Sequence, residues 1–135
     1  MFRLLPLLFL MSLSLSCKKA IERKKEQVVI EAITNGVWYV QFYKEDGTEK
    51  TGEFNGFEFK FNENETLNAL RAGTNVPGTW KADVAAKSIT TNFPTAVDPL
   101  KKLNSLWRIT DSYLDYVEAE STASGTLKTL HLRKK

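Results

Sequence analysis

Apolar and polar residues alternate through most of the chain after Gly36, and this period-two pattern constrains the fold more than any other feature. The pattern is clearest where Phe57, Phe59 and Phe61 alternate with charged residues. Strict alternation places successive side chains on opposite faces of a half-buried β-strand. Similar short segments, separated by turn signals such as Asp46-Gly47, recur to the end of the chain.

These segments predict eight strands, which cover residues 37–43, 57–61, 67–71, 76–83, 89–93, 106–110, 113–120 and 126–133. A helix is predicted over residues 20–34. Sequential antiparallel strands can close on themselves, and closure removes exposed sheet edges. We therefore predict an all-β fold, an eight-stranded antiparallel up-and-down barrel preceded by a short N-terminal helix. A two-sheet sandwich is the alternative.

The chain contains one cysteine, Cys17, and one histidine, His131. This content excludes internal disulfides and the usual zinc sites, so the fold depends on its apolar core alone. The sequence also lacks a nucleophile elbow, and turns or solvated strand faces account for its neighbouring carboxylates. We therefore predict a protein that is not an enzyme and that uses no metal and no cofactor.

The first 16 residues resemble a bacterial lipoprotein signal peptide. Arg3 precedes an apolar run from Leu4 to Leu15, which is shorter than the ~20 residues of a membrane span. The run ends at Cys17, which Lys18-Lys19 follows. The resemblance implies that Cys17 becomes the first residue of the mature protein and carries lipid such as palmitate. The alternative is an ordinary secretory signal followed by a free thiol.

The predicted organisation is a signal peptide (1–16), a lipid-anchored basic tether with a helix (17–35) and a barrel domain (36–135). The net charge of +3 belongs to the tether, because residues 18–26 hold five Lys and Arg against two Glu, while residues 27–135 hold 13 against 14. Nucleic-acid binding would need a basic face with interleaved aromatics. We therefore predict no nucleic-acid partner, contact with the membrane through Cys17, and a monomeric state.

Gly36-Val37-Trp38 is similar to the Gly-x-Trp motif that opens the first strand of lipocalins, and residues 110–116 resemble their Thr-Asp-Tyr-x-x-Tyr turn. Residues 17–135 as a whole are similar to small lipocalin-like lipoproteins of Bacteroidetes, in segments 36–43, 54–61, 78–80 and 106–109. The resemblance implies a calycin-type barrel in which Trp38 fills the closed end and Arg133 packs over that indole. It also implies an outer-membrane lipoprotein of the cell envelope. Because no acidic run follows Cys17, we expect it to face the periplasm.

Two functions remain open at this point. The first is a non-enzymatic barrel that binds a small hydrophobic ligand, with pocket candidates Phe42, Phe57, Phe59, Trp80, Trp107 and Tyr116. The second is an envelope interaction or assembly protein with a solid barrel, which binds a protein or polymer through an exposed aromatic patch around Tyr39, Tyr43 or Phe54. The interior of an eight-stranded barrel is either filled by side chains or large enough for one small ligand. A cavity of ~300 Å³ or more would favour the first function.

Overall fold

The described part of the chain forms an N-terminal helix and an antiparallel sheet. The computed structural model describes residues 5–123 and 125–135, with side chains from residue 19 onward. The helix and strands are α1 (Leu5–Thr34), β1 (Trp38–Glu45), β2 (Thr48–Glu49), β3 (Glu58–Phe61), β4 (Thr66–Arg71), β5 (Thr74–Asp83), β6 (Ser88–Asn92), β7 (Ser105–Tyr113), β8 (Tyr116–Ser121) and β9 (Lys128–Lys134). Two 3₁₀ turns, η1 (Thr51–Phe54) and η2 (Leu100–Leu103), lie between strands. The signal segment and the lipid site at Cys17 fall outside the described side chains and stay predictions.

The sheet closes into a barrel. Its strand order is β2-β1-β3-β4-β5-β6-β7-β8-β9, every pairing is antiparallel, and β1 also pairs with β9. The ring consists of β1 and β3–β9, because β2 only extends the sheet beside the last residues of β1. The predicted eight-stranded up-and-down barrel is confirmed, as is the helix before it, and the sandwich is excluded.

The inward face of the barrel holds the apolar core. Phe59 and Phe61 point inward from β3, and Phe59 pairs with the fully buried Ala69 of β4. Phe57 lies just before β3 and is also buried. The alternation that predicted this strand therefore marks the face that leaves water, as expected for a sheet solvated on one side only.

A β-bulge in β1 changes which aromatic residue enters the core. Val40 pairs with Leu132 and Phe42 pairs with the neighbouring His131, so Gln41 is an extra residue in the ladder. An extra residue reverses the in-and-out alternation beyond it. Tyr43 is therefore fully buried, whereas Phe42 lies half-buried on the outer surface. The predicted inward position of Phe42 is wrong for this reason.

The C-terminal part of α1 closes one end of the barrel, which we call the helix end. Ile33 is buried there, and the Trp38 indole nitrogen donates a hydrogen bond of 2.9 Å to its carbonyl oxygen. Lys60 donates to the carbonyl of Thr34, and Lys134 Nζ donates to that of Ala32 at 2.7 Å. These bonds satisfy carbonyls that the last turn of a helix leaves without partners. Among the described residues, no helix has both the length and the apolarity needed to cross a membrane.

Residues 93–104, which we call the plug, cover the opposite end. Three apolar residues of the plug, Phe93, Leu100 and Leu103, are buried. The Asn104 side chain accepts a hydrogen bond from the Phe93 amide at 2.6 Å and donates one to the Phe93 carbonyl at 3.2 Å. Lys128 Nζ donates to the Lys102 carbonyl at 3.1 Å. The plug is thus held by side chains at both of its ends.

Candidate functional site

The interior of the barrel is nearly filled. The remaining cavity has a volume of about 50 Å³, and its lining is apolar except for Thr91. Phe59 and Trp107, two of the predicted pocket residues, line it together with Phe93 and Leu103 from the plug. Ligand pockets begin at ~300 Å³. At this volume, the cavity is a gap in the packing that is smaller than a typical pocket for an organic ligand.

Two further predicted pocket residues, Phe57 and Trp80, are buried but do not line this cavity. The guanidinium carbon of Arg71 lies 3.9 Å from the centroid of the Phe57 ring. Trp80 packs edge-on against Phe61 and donates its indole N–H to the Asn62 carbonyl at 2.9 Å. These contacts give both side chains structural roles at the margins of the core.

Tyr116, the sixth predicted pocket residue, lies on the outer surface with Phe42. It is the first residue of β8 and pairs with Arg133 of β9. Directly opposite residues of antiparallel strands share a face, and Arg133 points away from the core. The structure therefore places only Phe59 and Trp107 of the six candidates around the interior gap.

Lys134, and not Arg133, covers Trp38. Trp38 is buried at the helix end as predicted, and its register partner on β9 is Lys134. The Lys134 ammonium nitrogen lies 5.1 Å from the centroid of the indole. Arg133 is one residue earlier and thus points to the opposite face of the sheet. The expected stacking of Arg133 on Trp38 is wrong because of this register.

An aromatic and charged surface covers the outer face of β7, β8, β9 and β1. We call it the outer patch, and it consists of two cross-strand rows. Strand register defines the rows as Tyr113–Tyr116–Arg133–Tyr39 and Asp111–Glu118–His131–Phe42. Four of the eight positions are aromatic. The predicted exposed patch around Tyr43 and Phe54 is wrong, because both residues are buried, whereas Tyr39 belongs to the outer patch.

Hydrogen bonds and ring contacts fix the centre of the outer patch. The Tyr116 hydroxyl donates to Glu118 Oε1 at 2.7 Å and lies 3.1 Å from His131 Nδ1. The Phe42 and His131 rings are 4.9 Å apart. The hydrogen bond to Glu118, with burial second, raises the pKa of Tyr116 to about 12. The phenol is protonated at neutral pH and donates its hydrogen bond to Glu118.

A turn in the sequence predicts part of this patch, although period-two alternation alone does not. Tyr113 and Tyr116 flank a two-residue turn, so a hairpin places them opposite each other. Locating the second row required the bulges at Gln41 and Thr110, which shift the register of β1 and β7. Among the described side chains, no group of three or more metal-ligating residues forms a metal site.

A wide groove separates α1 from the β5–β6 hairpin and has a volume of about 940 Å³. Val28 lines one wall and Ala82 the other, while Lys24, Glu26 and Lys87 contribute charges of both signs. The mixed lining favours no single ligand chemistry. We therefore regard the outer patch as the better-defined candidate site.

Comparison with known proteins supports the fold and leaves the site to be argued from geometry. No family model matches the sequence, and no curated protein is significantly similar to it. The barrel is similar to the crystal structure of a DUF4847 family protein from Bacteroides vulgatus ATCC 8482, with a TM-score of 0.56 and 15% sequence identity. The match covers 76% of this chain and 95% of that one. At this identity, the likeness shows a common fold alone.

Proposed function

We propose that this protein is a lipid-anchored outer-membrane lipoprotein, facing the periplasm, whose barrel is a non-enzymatic module for binding a protein partner through its outer surface. The observation that carries the proposal is the packed interior. With an interior cavity of about 50 Å³, the barrel is suited to present side chains outward on a rigid frame. The similarity to lipocalin-like lipoproteins supports the same cellular location.

The anchor is supported by the sequence around Cys17. A short apolar run ends at Leu15, and the small residue Ser16 separates it from Cys17. Two lysines follow the cysteine. Each Lys or Arg close to an anionic lipid surface adds about 1 kcal/mol of attraction. We expect radiolabelled palmitate to enter the wild-type protein and not the Cys17→Ser variant. Label in that variant, or its normal recovery in the outer-membrane fraction, would contradict the anchor.

The outer patch supports a binding role for the barrel. Tyr and Arg are enriched among residues that dominate protein-protein binding energy, and these hot spots cluster in pre-organised patches. Tyr116 and Arg133 lie beside each other in the patch, and other side chains hold both in place. β-bulges that re-aim side chains are common next to functional sites, and both β1 and β7 carry a bulge inside this patch.

In-cell photo-crosslinking tests this role. A photoreactive residue is placed at position 113, in the patch, or at position 81 as a control, because Lys81 is exposed on another outer face of the barrel. We expect a discrete protein adduct from position 113 that position 81 does not give. Identical products from the two positions, or no adduct from position 113, would contradict partner binding through the patch.

A small apolar ligand is the second candidate function. It is favoured by the lining of the interior gap, because Phe93 and Leu103 belong to the plug and their displacement would enlarge the cavity. Native mass spectrometry of protein purified from its own envelope separates the two functions. We expect the mass of the empty, lipidated chain. A stoichiometric bound small molecule would favour the ligand-binding function instead.

A further inference from the structure

Three side chains of the outer patch stack in a row that is open at one end. The guanidinium carbon of Arg133 lies 4.6 Å from the centroid of the Tyr116 ring. The Tyr116 and Tyr113 rings are 6.3 Å apart and inclined by only 27°. Tyr113 is 63% exposed. The row therefore ends in an aromatic ring that water covers.

The guanidinium group of Arg133 is held in the outer patch by three contacts. Its Nε donates to Gln41 Oε1 at 3.1 Å, and its Nη1 lies 3.9 Å from the Asp115 carboxylate. One carboxylate, one neutral acceptor and one tyrosine ring thus hold a single planar cation. Arginine suits such a site because its guanidinium stacks on aromatic faces while its N–H groups bind acceptors in the same plane.

Tyr113 and Asp111 offer a similar combination of an aromatic face and a carboxylate. Asp111 is two residues earlier on β7, on the same face of the sheet, and it pairs with Glu118 across the strands. Asp111 Oδ1 accepts the Ser112 amide at 2.9 Å, which leaves its second oxygen available. In the described part of the chain, neither Tyr113 nor Asp111 has a cationic side chain against it.

The charge of the outer patch favours a cationic occupant. Asp111 and Glu118 of the patch and Asp115 in the adjoining β7–β8 turn contribute three carboxylates, whereas Arg133 is the one permanent cation among the eight positions of the patch. Leu114, at the tip of the same hairpin, is 74% exposed. A polypeptide that covers this leucine could bring a positive side chain over Tyr113.

We infer that Tyr113 and Asp111 form a docking site for an arginine side chain of a partner polypeptide. The incoming guanidinium stacks on the free face of Tyr113 and pairs with the Asp111 carboxylate, as Arg133 does with Tyr116 and Asp115. This inference rests on the proposed function, since it names the chemistry by which the outer patch recognises its partner. It involves binding alone and no covalent step.

The test uses the mature protein in a non-ionic detergent and a dye-labelled nine-residue peptide that contains three arginines. Matched peptides carry lysine or the neutral isostere citrulline, and fluorescence anisotropy at low salt reports binding. We expect the arginine peptide to bind most tightly and the citrulline peptide least. Tyr113→Leu should weaken binding of the arginine peptide about two- to fivefold, the change that an exposed cation–π contact supports. Tyr113→Phe keeps the ring and should retain most of the affinity.

Asp111→Asn should weaken binding to a similar extent, because it removes the carboxylate and keeps the acceptor for Ser112. Glu63→Gln is the charge-matched control, since it removes one negative charge from an exposed turn at the helix end of the barrel. Equal loss in these two variants would show attraction by net charge alone and would overturn the inference. Full affinity in Tyr113→Leu would do the same.

Sedimentation of the same samples identifies a different occupant. A dimer that Tyr113→Leu dissociates would mean that a second copy covers the patch, which contradicts an arginine site for another protein. The arginine site and the proposed function can fail independently of each other. A crosslinked partner at position 113, together with peptide binding that ignores Tyr113 and Asp111, would overturn only the arginine site.

Discussion

The Lys134 ammonium group lies over the Trp38 indole and donates a hydrogen bond to the Ala32 carbonyl. One side chain from the last strand thus covers the first residue of the first strand and also holds the end of α1. Lys134→Ala removes a charge-assisted hydrogen bond and a cation–π contact, so we expect a loss of about 1–2 kcal/mol in the free energy of unfolding. Urea denaturation measures the change.

The control for this substitution is Lys81→Ala, because Lys81 is exposed on the outer face of β5. It should alter stability by less than about 0.5 kcal/mol. Equal effects from the two substitutions would mean that Lys134 does not join α1 to the barrel.

Tyr43 is fully buried, and its hydroxyl has no hydrogen-bond partner among the described residues. A buried hydroxyl without a partner carries a desolvation penalty of about 1–3 kcal/mol. We expect Tyr43→Phe to leave the free energy of unfolding unchanged or to raise it. Tyr116→Phe should lower it by about 0.5–1.5 kcal/mol, since it removes the bond to Glu118. Opposite signs for the two variants in thermal or urea unfolding would support this account, and a clear loss for Tyr43→Phe would refute it.

Tyr43 should also determine part of the stability of the protein at alkaline pH. Burial, and then the neighbouring carboxylates led by Glu45, raise the pKa of Tyr43 well above its usual value. Unfolded tyrosine loses its proton near pH ~10, whereas Tyr43 in the folded protein keeps it. A raised pKa in the folded state contributes stability below pH ~10 that is lost as the pH rises further. Between pH 10 and 12, the free energy of unfolding of Tyr43→Phe should fall less steeply than that of the wild type.

Gly78 allows β5 to pass closely against the start of the plug. A Cβ at this position would lie 2.7 Å from the Asn92 carbonyl oxygen and 2.7 Å from a ring carbon of Phe93. We expect Gly78→Ala to destabilise the barrel by about 1–3 kcal/mol through overpacking. Gly52→Ala is the control, because the nearest atom to its Cβ would be 3.9 Å away. Similar unfolding midpoints for the two variants would contradict the close approach at Gly78.

The interior gap predicts where the core accepts larger residues. Ala119 lines the gap, whereas Ala69 is fully buried and does not. Ala119→Val should be neutral or stabilise the protein by about 0.5–2 kcal/mol, as cavity-filling substitutions do. Ala69→Val should destabilise it by about 1–3 kcal/mol. If both variants lose stability equally, the gap does not exist in solution.

Alternation along the chain was sufficient to predict the barrel and the buried positions of Phe59, Trp38 and Trp107, and the helical spacing of apolar residues predicted the N-terminal helix. Alternation failed where one extra residue enters a strand. Both Phe42 and Tyr43 are aromatic, so the pattern of β1 fits either parity, and only the bulge at Gln41 decides between them. The role expected of Arg133 came from the resemblance to lipocalins, and Lys134 takes this role because it is the register partner of Trp38. A one-residue difference in register reverses the face of a side chain.

The candidate site was harder to predict than the fold. Cavity volume depends on how side chains from opposite strands interdigitate, and no local pattern carries that information. The outer patch combines residues from both ends of the chain, as the bond between Arg133 and Gln41 illustrates. Such a surface exists only after the barrel closes, and its register is set by two bulges.

The pairing of β1 with β9 also sets the timing of folding. Gln41 and Arg133 are 92 positions apart in the chain. The pairing of β1 with β9 can therefore form only after almost the whole domain has been synthesised. Until then the backbone groups of β1 remain open to association with other chains. Domains dominated by such distant contacts fold in milliseconds to seconds. Because β9, the seven residues Lys128–Lys134, completes the ring against β1, a nascent chain without it would be a target for chaperones and proteases.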